Sequence, residues 1–213
     1  MLLPGLTSRP WWAVSDVPGL AVALPELRAA GRAELAALEA ATPGAAGDYA
    51  PKADEHTLHG GTWAWHSLIQ RGAWRPAAAA RAPRCTAALR SLPGLLTDAP
   101  FGTAFFSCLA GGAAVAPHFG PSNLRLRVHV PLAVPPRAAG ACALTVAGEA
   151  RRWDEHDPLV FDDAYEHSAE NKTSERRDVL LFDVWHPELA PREIAAIQVL
   201  FAEAAGKGWL SPP

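Results

Sequence analysis

Cysteine is scarce, with only Cys85, Cys108 and Cys142 in 213 residues. An odd number without a CxxC pair excludes a disulfide framework, a CxxC zinc site and thiol exchange, and leaves buried thiols as the expectation. Positive charge is not in excess, since 19 Lys and Arg stand against 22 Asp and Glu for a formal net charge of -3. With a pI near 6.2, the chain has no basic stripe of the kind that binds phosphate, so no nucleic-acid partner is expected. Long hydrophobic runs are also missing: none approaches the ~18 apolar residues of a membrane span, and the segment Met1 to Trp12 has no basic start before an apolar core. No membrane partner and a cytoplasmic location are expected. No internal repeat occurs, and the many alanines and prolines are interspersed with aromatic and aliphatic residues rather than forming low-complexity tracts.

The length suits a single domain over 1–213 with a sizeable core. Three regions are expected: a helical N-terminal part over about 1–100, a β core over about 101–189, and a C-terminal helix over about 191–206. Leu24, Leu27, Leu35 and Leu38 recur at helical spacing across 24–41, with Pro25 in the first turn and Pro43-Gly44 as the stop. Trp63, Trp65 and Leu68 suggest a strand over 62–70, and a second Ala-rich helix is expected over 76–91. From Thr103 onward, short β-type runs follow at close spacing, over 103–109, 124–132, 141–147, 158–162 and 178–185, divided by Gly, Pro and Asp clusters. That spacing predicts a sandwich or barrel rather than βαβ units. Ile194, Ile197, Val199 and Leu200 then restore helical periodicity.

Two segments carry charge where an apolar run should be buried: Ala116-Pro-His118-Phe-Gly120-Pro and Val160-Phe-Asp162-Asp163-Ala-Tyr165-Glu166-His167. Either histidine alone suits a structural role. Together they bracket several short strands, the arrangement by which a jelly-roll barrel sets an early ligand opposite a late one, and imidazole suits divalent iron. Between them, strict alternation places Leu124, Leu126, Val128 and Val130 on one strand face and Arg125, Arg127 and His129 on the other. That second face is either a cationic wall of a site or a solvated surface. A cosubstrate chelating iron through carboxylate and keto oxygens, such as 2-oxoglutarate, has a distal carboxylate that needs a cation when buried. Arg177, opening an apolar strand, can supply it, and Ser107 on an apolar run can add a hydroxyl donor.

These residues resemble the aspartyl/asparaginyl β-hydroxylases, a family of iron(II)- and 2-oxoglutarate-dependent dioxygenases with a double-stranded β-helix, or jelly-roll, fold. The resemblance spans about Thr103 to Leu189 and rests on His118-x-Gly120-Pro-x-Asn123-x-Arg125-Leu-Arg127-x-His129, Phe161-Asp-Asp-x-x-Glu-His167 and Asp183-Val-Trp-His-Pro187. It implies a mainly β fold with flanking helices and a cupin-like barrel. It also implies that His118 and His167 bind iron, and that Ser107, Arg127, His129 and Arg177 hold 2-oxoglutarate. The implied reaction consumes O2, converts 2-oxoglutarate to succinate and carbon dioxide, and hydroxylates an unactivated carbon. The β-carbon of an Asp/Asn-type amino acid, peptide residue or related intermediate is the expected target.

The wider superfamily usually places an Asp or Glu two positions after the first histidine. Here Gly120 stands there. The opened position can take water, as hydroxylation requires, or chloride, as in a halogenase; desaturation and a non-catalytic ligand-binding barrel are the other readings. Replacing Gly120 with Asp is expected to restore a triad-like ligand set while crowding that position. Asp162, Asp163 and Glu166 are expected to orient His167 or the turn rather than act on substrate. His186 is expected to be structural, and His56, His59, His66 and His156 to face solvent or support the site. Arg125, Trp63, Trp65 and the loop Ala45 to Gly61 are the candidates for recognising a small-molecule or peptide substrate, with the Trp pair in the core or at the pocket mouth.

Overall fold

A computed structural model of the chain describes residues 2–41, 47–48 and 59–209. In chain order it contains β1 (Trp11–Trp12), α1 (Leu20–Ala41), β2 (His59–Gly60), β3 (Trp63–Gln70), β4 (Ala73–Trp74), α2 (Pro76–Arg81), α3 (Pro83–Arg90), β5 (Ala104–Leu109), β6 (Ala114–His118), β7 (Arg125–Ala133), β8 (Cys142–Val146), β9 (Glu149–Arg152), β10 (Leu159–Phe161), β11 (His167–Asn171), β12 (Arg177–Trp185) and α4 (Pro191–Gly206). Two antiparallel sheets result. The larger has the order β1-β10-β7-β12-β5-β3-β4 and the smaller β2-β6-β11-β8-β9. Between them lies an apolar layer containing Trp11, Phe105, Leu144, Val146, Phe161, Val179 and Leu181. This is the double-stranded β-helix expected from the sequence.

The back of the larger sheet carries Leu126, Val128, Val130, Leu180 and Phe182, covered by Leu20, Leu24, Leu27, Leu35 and Leu38 of α1 and by Leu89 of α3. Gly31 lets α1 approach closely, since a Cβ there would stand 2.6 Å from Leu132 Cδ2. The buried Glu34 accepts the backbone N–H groups of Arg84 and Cys85 at 2.8 and 2.9 Å. It thereby satisfies donors at the start of α3 that Ala82, at the cap position, cannot.

Several expected boundaries shift. Helix α1 starts at Leu20, after a Gly19 turn at φ 78°, so Pro25 lies inside it and not in its first turn. The hydrogen bond lost at Pro25 is offset by burying Leu20, Ala23, Leu24 and Leu27. The helix expected over 76–91 is two helices, because Pro83 disfavours helical backbone at Ala82, which adopts φ -128° and ψ 61°. The part before residue 100 is not simply helical: β1, β3 and β4 join the larger sheet. On α4, Ile194 and Ile197 pack against the buried Leu124, Trp185 and Leu189. Val199 and Leu200 instead face solvent. No helix among the described residues is long and apolar enough to cross a membrane.

Candidate active site

The two histidines sit on strands that composition did not announce. His118 ends β6, which contains a proline, and His167 opens β11, whose His-Ser-Ala-Glu-Asn sequence has little β-propensity. Pairing of β11 with β6 and β8 imposes the extended conformation and puts His167 directly across from His118. The ring centroids are 4.1 Å apart. Each Nδ1 lies against the carbonyl two residues upstream, His118 on Ala116 at 2.8 Å and His167 on Tyr165 at 2.9 Å. A carbonyl only accepts, so Nδ1 carries the proton on both rings and each Nε2 lone pair is free to ligate a metal. Burial lowers both pKa values, and the neighbouring His118 helps push His167 down to about 4. Both rings are therefore neutral near pH 7, the form that binds metal.

The facing wall comes from the larger sheet. Ser107 on β5, Arg127 and His129 on β7, and Arg177 on β12 line the same cavity as His118 and His167, a space of about 210 Å³. That is below the roughly 300–1,000 Å³ of drug-sized pockets and suits a small anion with an ion. The solvated reading of the β7 polar face is thus overturned, because the second sheet covers it.

Arg177 is 2% exposed. Among the described residues, no carboxylate pairs with its guanidinium, which donates to Ser107 Oγ at 3.4 Å and lies 4.7 Å over the Trp153 ring. Burial lowers its pKa to about 10. His129 is similarly prepared. Trp153 Nε1 donates to its Nδ1 at 3.3 Å, so the proton resides on Nε2, a buried donor without a partner among the described residues. Burial first, then the charges of Arg177 and Arg127, hold His129 well below its ordinary pKa. Trp63 Nε1 donates to Ser107 Oγ at 2.9 Å. Because that oxygen already accepts from Trp63 and Arg177, the hydroxyl proton is left to point at a ligand. Buried donors without an acceptor on one wall, and two bare Nε2 atoms on the other, fit a metal chelated by an organic anion.

Arg125 is placed differently from expectation. It does not line the cavity. Its Nε and Nη2 donate to Asp163, and its Nη1 to Asp183 and the Phe101 carbonyl. Arg127 donates from Nε to Asp183 at 2.8 Å and lies 3.5 Å from Asp163. Burial works to lower the Arg127 pKa, but Asp183 and Asp163 together raise it. Both carboxylates are fully buried, so two cations and two anions form a neutral block beneath the histidines. Paired arginines of this kind do not offer a free charge to substrate.

Asp163 also explains Gly120. The Gly120 N–H donates to the Asp163 carbonyl at 2.6 Å, and a Cβ at position 120 would stand 2.5 Å from the Asp163 Cγ. An aspartate at 120 therefore collides with Asp163, and the expected restoration of a triad is overturned. No third Asp, Glu, His or Cys among the described residues completes a three-ligand set with His118 and His167. His167 takes its orientation from the Tyr165 carbonyl and not from a carboxylate; Asp162 accepts the Ala164 N–H in the turn, and Glu166 is exposed.

Trp63 and Trp65 both line the cavity, with Trp65 stacked on Phe105 at 4.2 Å. His186 is structural, with Nδ1 accepting from Glu188 and Nε2 donating to the Thr7 carbonyl at 3.1 Å. Most of the loop Ala45 to Gly61, and His56 with it, lies outside the described residues. Trp153 and Asp183 are the residues whose roles sequence reasoning missed. A lone tryptophan within Arg151-Arg152-Trp153-Asp154 was the available signal for the first.

The family profile for aspartyl/asparaginyl beta-hydroxylase matches residues 30–187. The human aspartyl/asparaginyl beta-hydroxylase is 32% identical over 89% of this chain and 24% of its own length. Aspartate beta-hydroxylase domain-containing protein 2 of Xenopus tropicalis is 34% identical over 67% of this chain and 38% of its own. The chain thus spans about a quarter to two-fifths of the length of these relatives. A Pseudomonas putida prolyl-4-hydroxylase structure is similar at 15% identity and a TM-score of 0.43, covering 76% of this chain and 89% of that one. With the profile matching from within α1 to just past β12, and with the human relative at 32% identity over 89% of the chain, this chain belongs to the aspartyl/asparaginyl β-hydroxylase family.

Proposed function

We propose that the chain is an iron(II)- and 2-oxoglutarate-dependent hydroxylase acting on an unactivated carbon, with the β-carbon of an aspartyl or asparaginyl unit as the target class. The observation that carries this reading is Arg177, a buried guanidinium without a carboxylate partner among the described residues, in one small cavity with two histidines whose Nε2 atoms meet no partner among those residues. A protein does not keep such a charge unpaired without a ligand to meet it. In this reading His118 and His167 hold the iron, which with O2 and 2-oxoglutarate supplies the oxidising power. Arg177 and the Ser107 hydroxyl receive the distal carboxylate, and His129 Nε2–H and Arg127 line the path to the metal. Trp63, Trp65 and Phe105 form an aromatic wall that excludes water and positions the substrate carbon.

Hydroxylation is favoured over chlorination by the space beside Gly120. A halogenase needs positive potential for an anion there, whereas the Asp163 carboxylate beside Gly120 disfavours an anion more than it does water. The test is an anaerobic titration of apoprotein with iron(II) and 2-oxoglutarate, read by the metal-to-ligand charge-transfer band, in wild type, His118→Ala and His167→Ala. The band is expected in wild type alone, followed by succinate release in air with aspartyl or asparaginyl peptides. A wild type without a band, and without calorimetric binding of 2-oxoglutarate, ends the proposal.

A further inference from the structure

On the face of the larger sheet turned away from the cavity, Glu39 of α1, His66 of β3 and Cys108 of β5 bring one ligand atom each to within 4.8 Å of one another. Among the described residues no other group of three or more His, Cys, Asp or Glu side chains does so. We propose that these three residues form a second metal site, for zinc, behind the sheet that carries the 2-oxoglutarate wall.

The topology explains the grouping. His66 and Cys108 are diagonal neighbours on adjacent antiparallel strands, His66 opposite Phe106 and Ala64 opposite Cys108. Helix α1 lays Glu39 across them. Tetrahedral zinc with N, O and S donors at about 2.0–2.3 Å holds its ligand atoms roughly 3.3–3.8 Å apart, so closing onto the ion asks for a contraction of about 1 Å. The histidine is partly exposed and can move that far; the partly exposed Glu39 would have to give up one of its two Arg176 hydrogen bonds to do so, while the thiol is 3% exposed.

A second observation points the same way. Asp178 stands opposite Cys108 in the β12–β5 ladder and is 5% exposed; among the described residues its Oδ1 has no hydrogen-bond partner of good geometry, and its carboxylate faces the Cys108 thiol. Its other oxygen and both Glu39 oxygens receive Arg176. Two carboxylates and one guanidinium leave the cluster at one negative charge. Deprotonating Cys108 makes it two, which a divalent cation neutralises. Without an ion, burial and then the Asp178 charge raise the thiol pKa, so the metal itself must drive the step. The S–H bond is replaced by an S–Zn bond, the proton leaves to solvent, and nothing is oxidised or reduced. A mixed nitrogen, sulfur and oxygen set selects zinc over the hard cations, and water or Asp178 Oδ1 completes four-coordination.

The site would brace the catalytic wall, because Cys108 follows Ser107 on β5, and Asp178 follows Arg177 on β12. It does not depend on the iron assignment, and the test separates the two. Metal-free protein is titrated with cobalt(II), for which thiolate ligation gives an intense near-ultraviolet charge-transfer band that histidine and carboxylate ligands alone do not give. We expect one equivalent to produce the band, with the band abolished in Cys108→Ser and binding weakened at least tenfold, about 1.4 kcal/mol, in His66→Ala. The band should persist in His118→Ala/His167→Ala and in Cys142→Ser. In the His118→Ala/His167→Ala background, where the other metal site is removed, zinc should displace cobalt and raise the thermal midpoint, and it should not do so once His66→Ala is added at that half-buried position. Absence of the band in folded wild type, or its survival in Cys108→Ser, overturns the proposal.

Discussion

Replacing Arg177 with methionine should stabilise the protein while destroying its affinity for 2-oxoglutarate. Burial holds the Arg177 pKa at about 10 against an ordinary 12.5. At about 1.36 kcal/mol per pKa unit, the empty fold carries about 3 kcal/mol of penalty for keeping that charge. The sign follows from linkage: a base whose folded pKa is depressed destabilises the fold at every pH below that pKa, and the penalty lessens only as pH climbs from about 10 toward 12.5. Methionine removes the charge and keeps most of the volume. It gives up the Trp153 cation–π contact, worth about 1–2 kcal/mol, and a long hydrogen bond to Ser107 at 3.4 Å. A net gain of about 1–2 kcal/mol is expected in urea unfolding of the metal-free, ligand-free protein at pH 7, seen as a higher midpoint at unchanged slope. The distal carboxylate of 2-oxoglutarate then has no cation, which should cost about 3 kcal/mol or more, at least ~150-fold in Kd by anaerobic calorimetry with manganese(II). A variant that loses stability by more than about 1 kcal/mol yet binds 2-oxoglutarate within threefold of wild type would refute the reasoning.

Gly120→Ala should lower stability by about 1–3 kcal/mol through the collision with Asp163, and Gly120→Asp should not tighten iron binding; urea unfolding and metal titration check the pair. Trp63→Phe removes the donor that fixes the Ser107 hydroxyl, so the Kd for 2-oxoglutarate should rise about tenfold while iron binding holds. Asp162 has its pKa raised to about 6, first by burial and then by Asp163. An acid whose folded pKa is raised is penalised as pH rises through the window from 3.8 to about 6. Asp162→Asn, which keeps the acceptor for Ala164, should therefore stabilise the fold by up to about 2–3 kcal/mol at pH 7 and by little at pH 4, as measured by urea unfolding at the two pH values.

The sequence by itself determined the barrel class, the five strongest strands and the residues of the site's two walls. Apolar alternation in β7 and β12 is dictated by a face buried against α1, and His118, Arg127, His129, His167 and Arg177 stand out because charge interrupts apolar runs. What it could not determine were features held by partners distant in sequence. Strands β6 and β11 have weak propensity of their own and become strands through register, which sets His167 against His118. The same holds for Arg125, whose alternation with Arg127 suggested a shared cavity face. Only the fold shows its donors taken by Asp163, Asp183 and Phe101. Gly120 reads as a missing ligand in sequence and, in three dimensions, as the space that the Asp163 carboxylate requires. Local pattern reports burial and periodicity, but which buried charge finds a partner, and which is left for a ligand, is decided by how the strands are brought together.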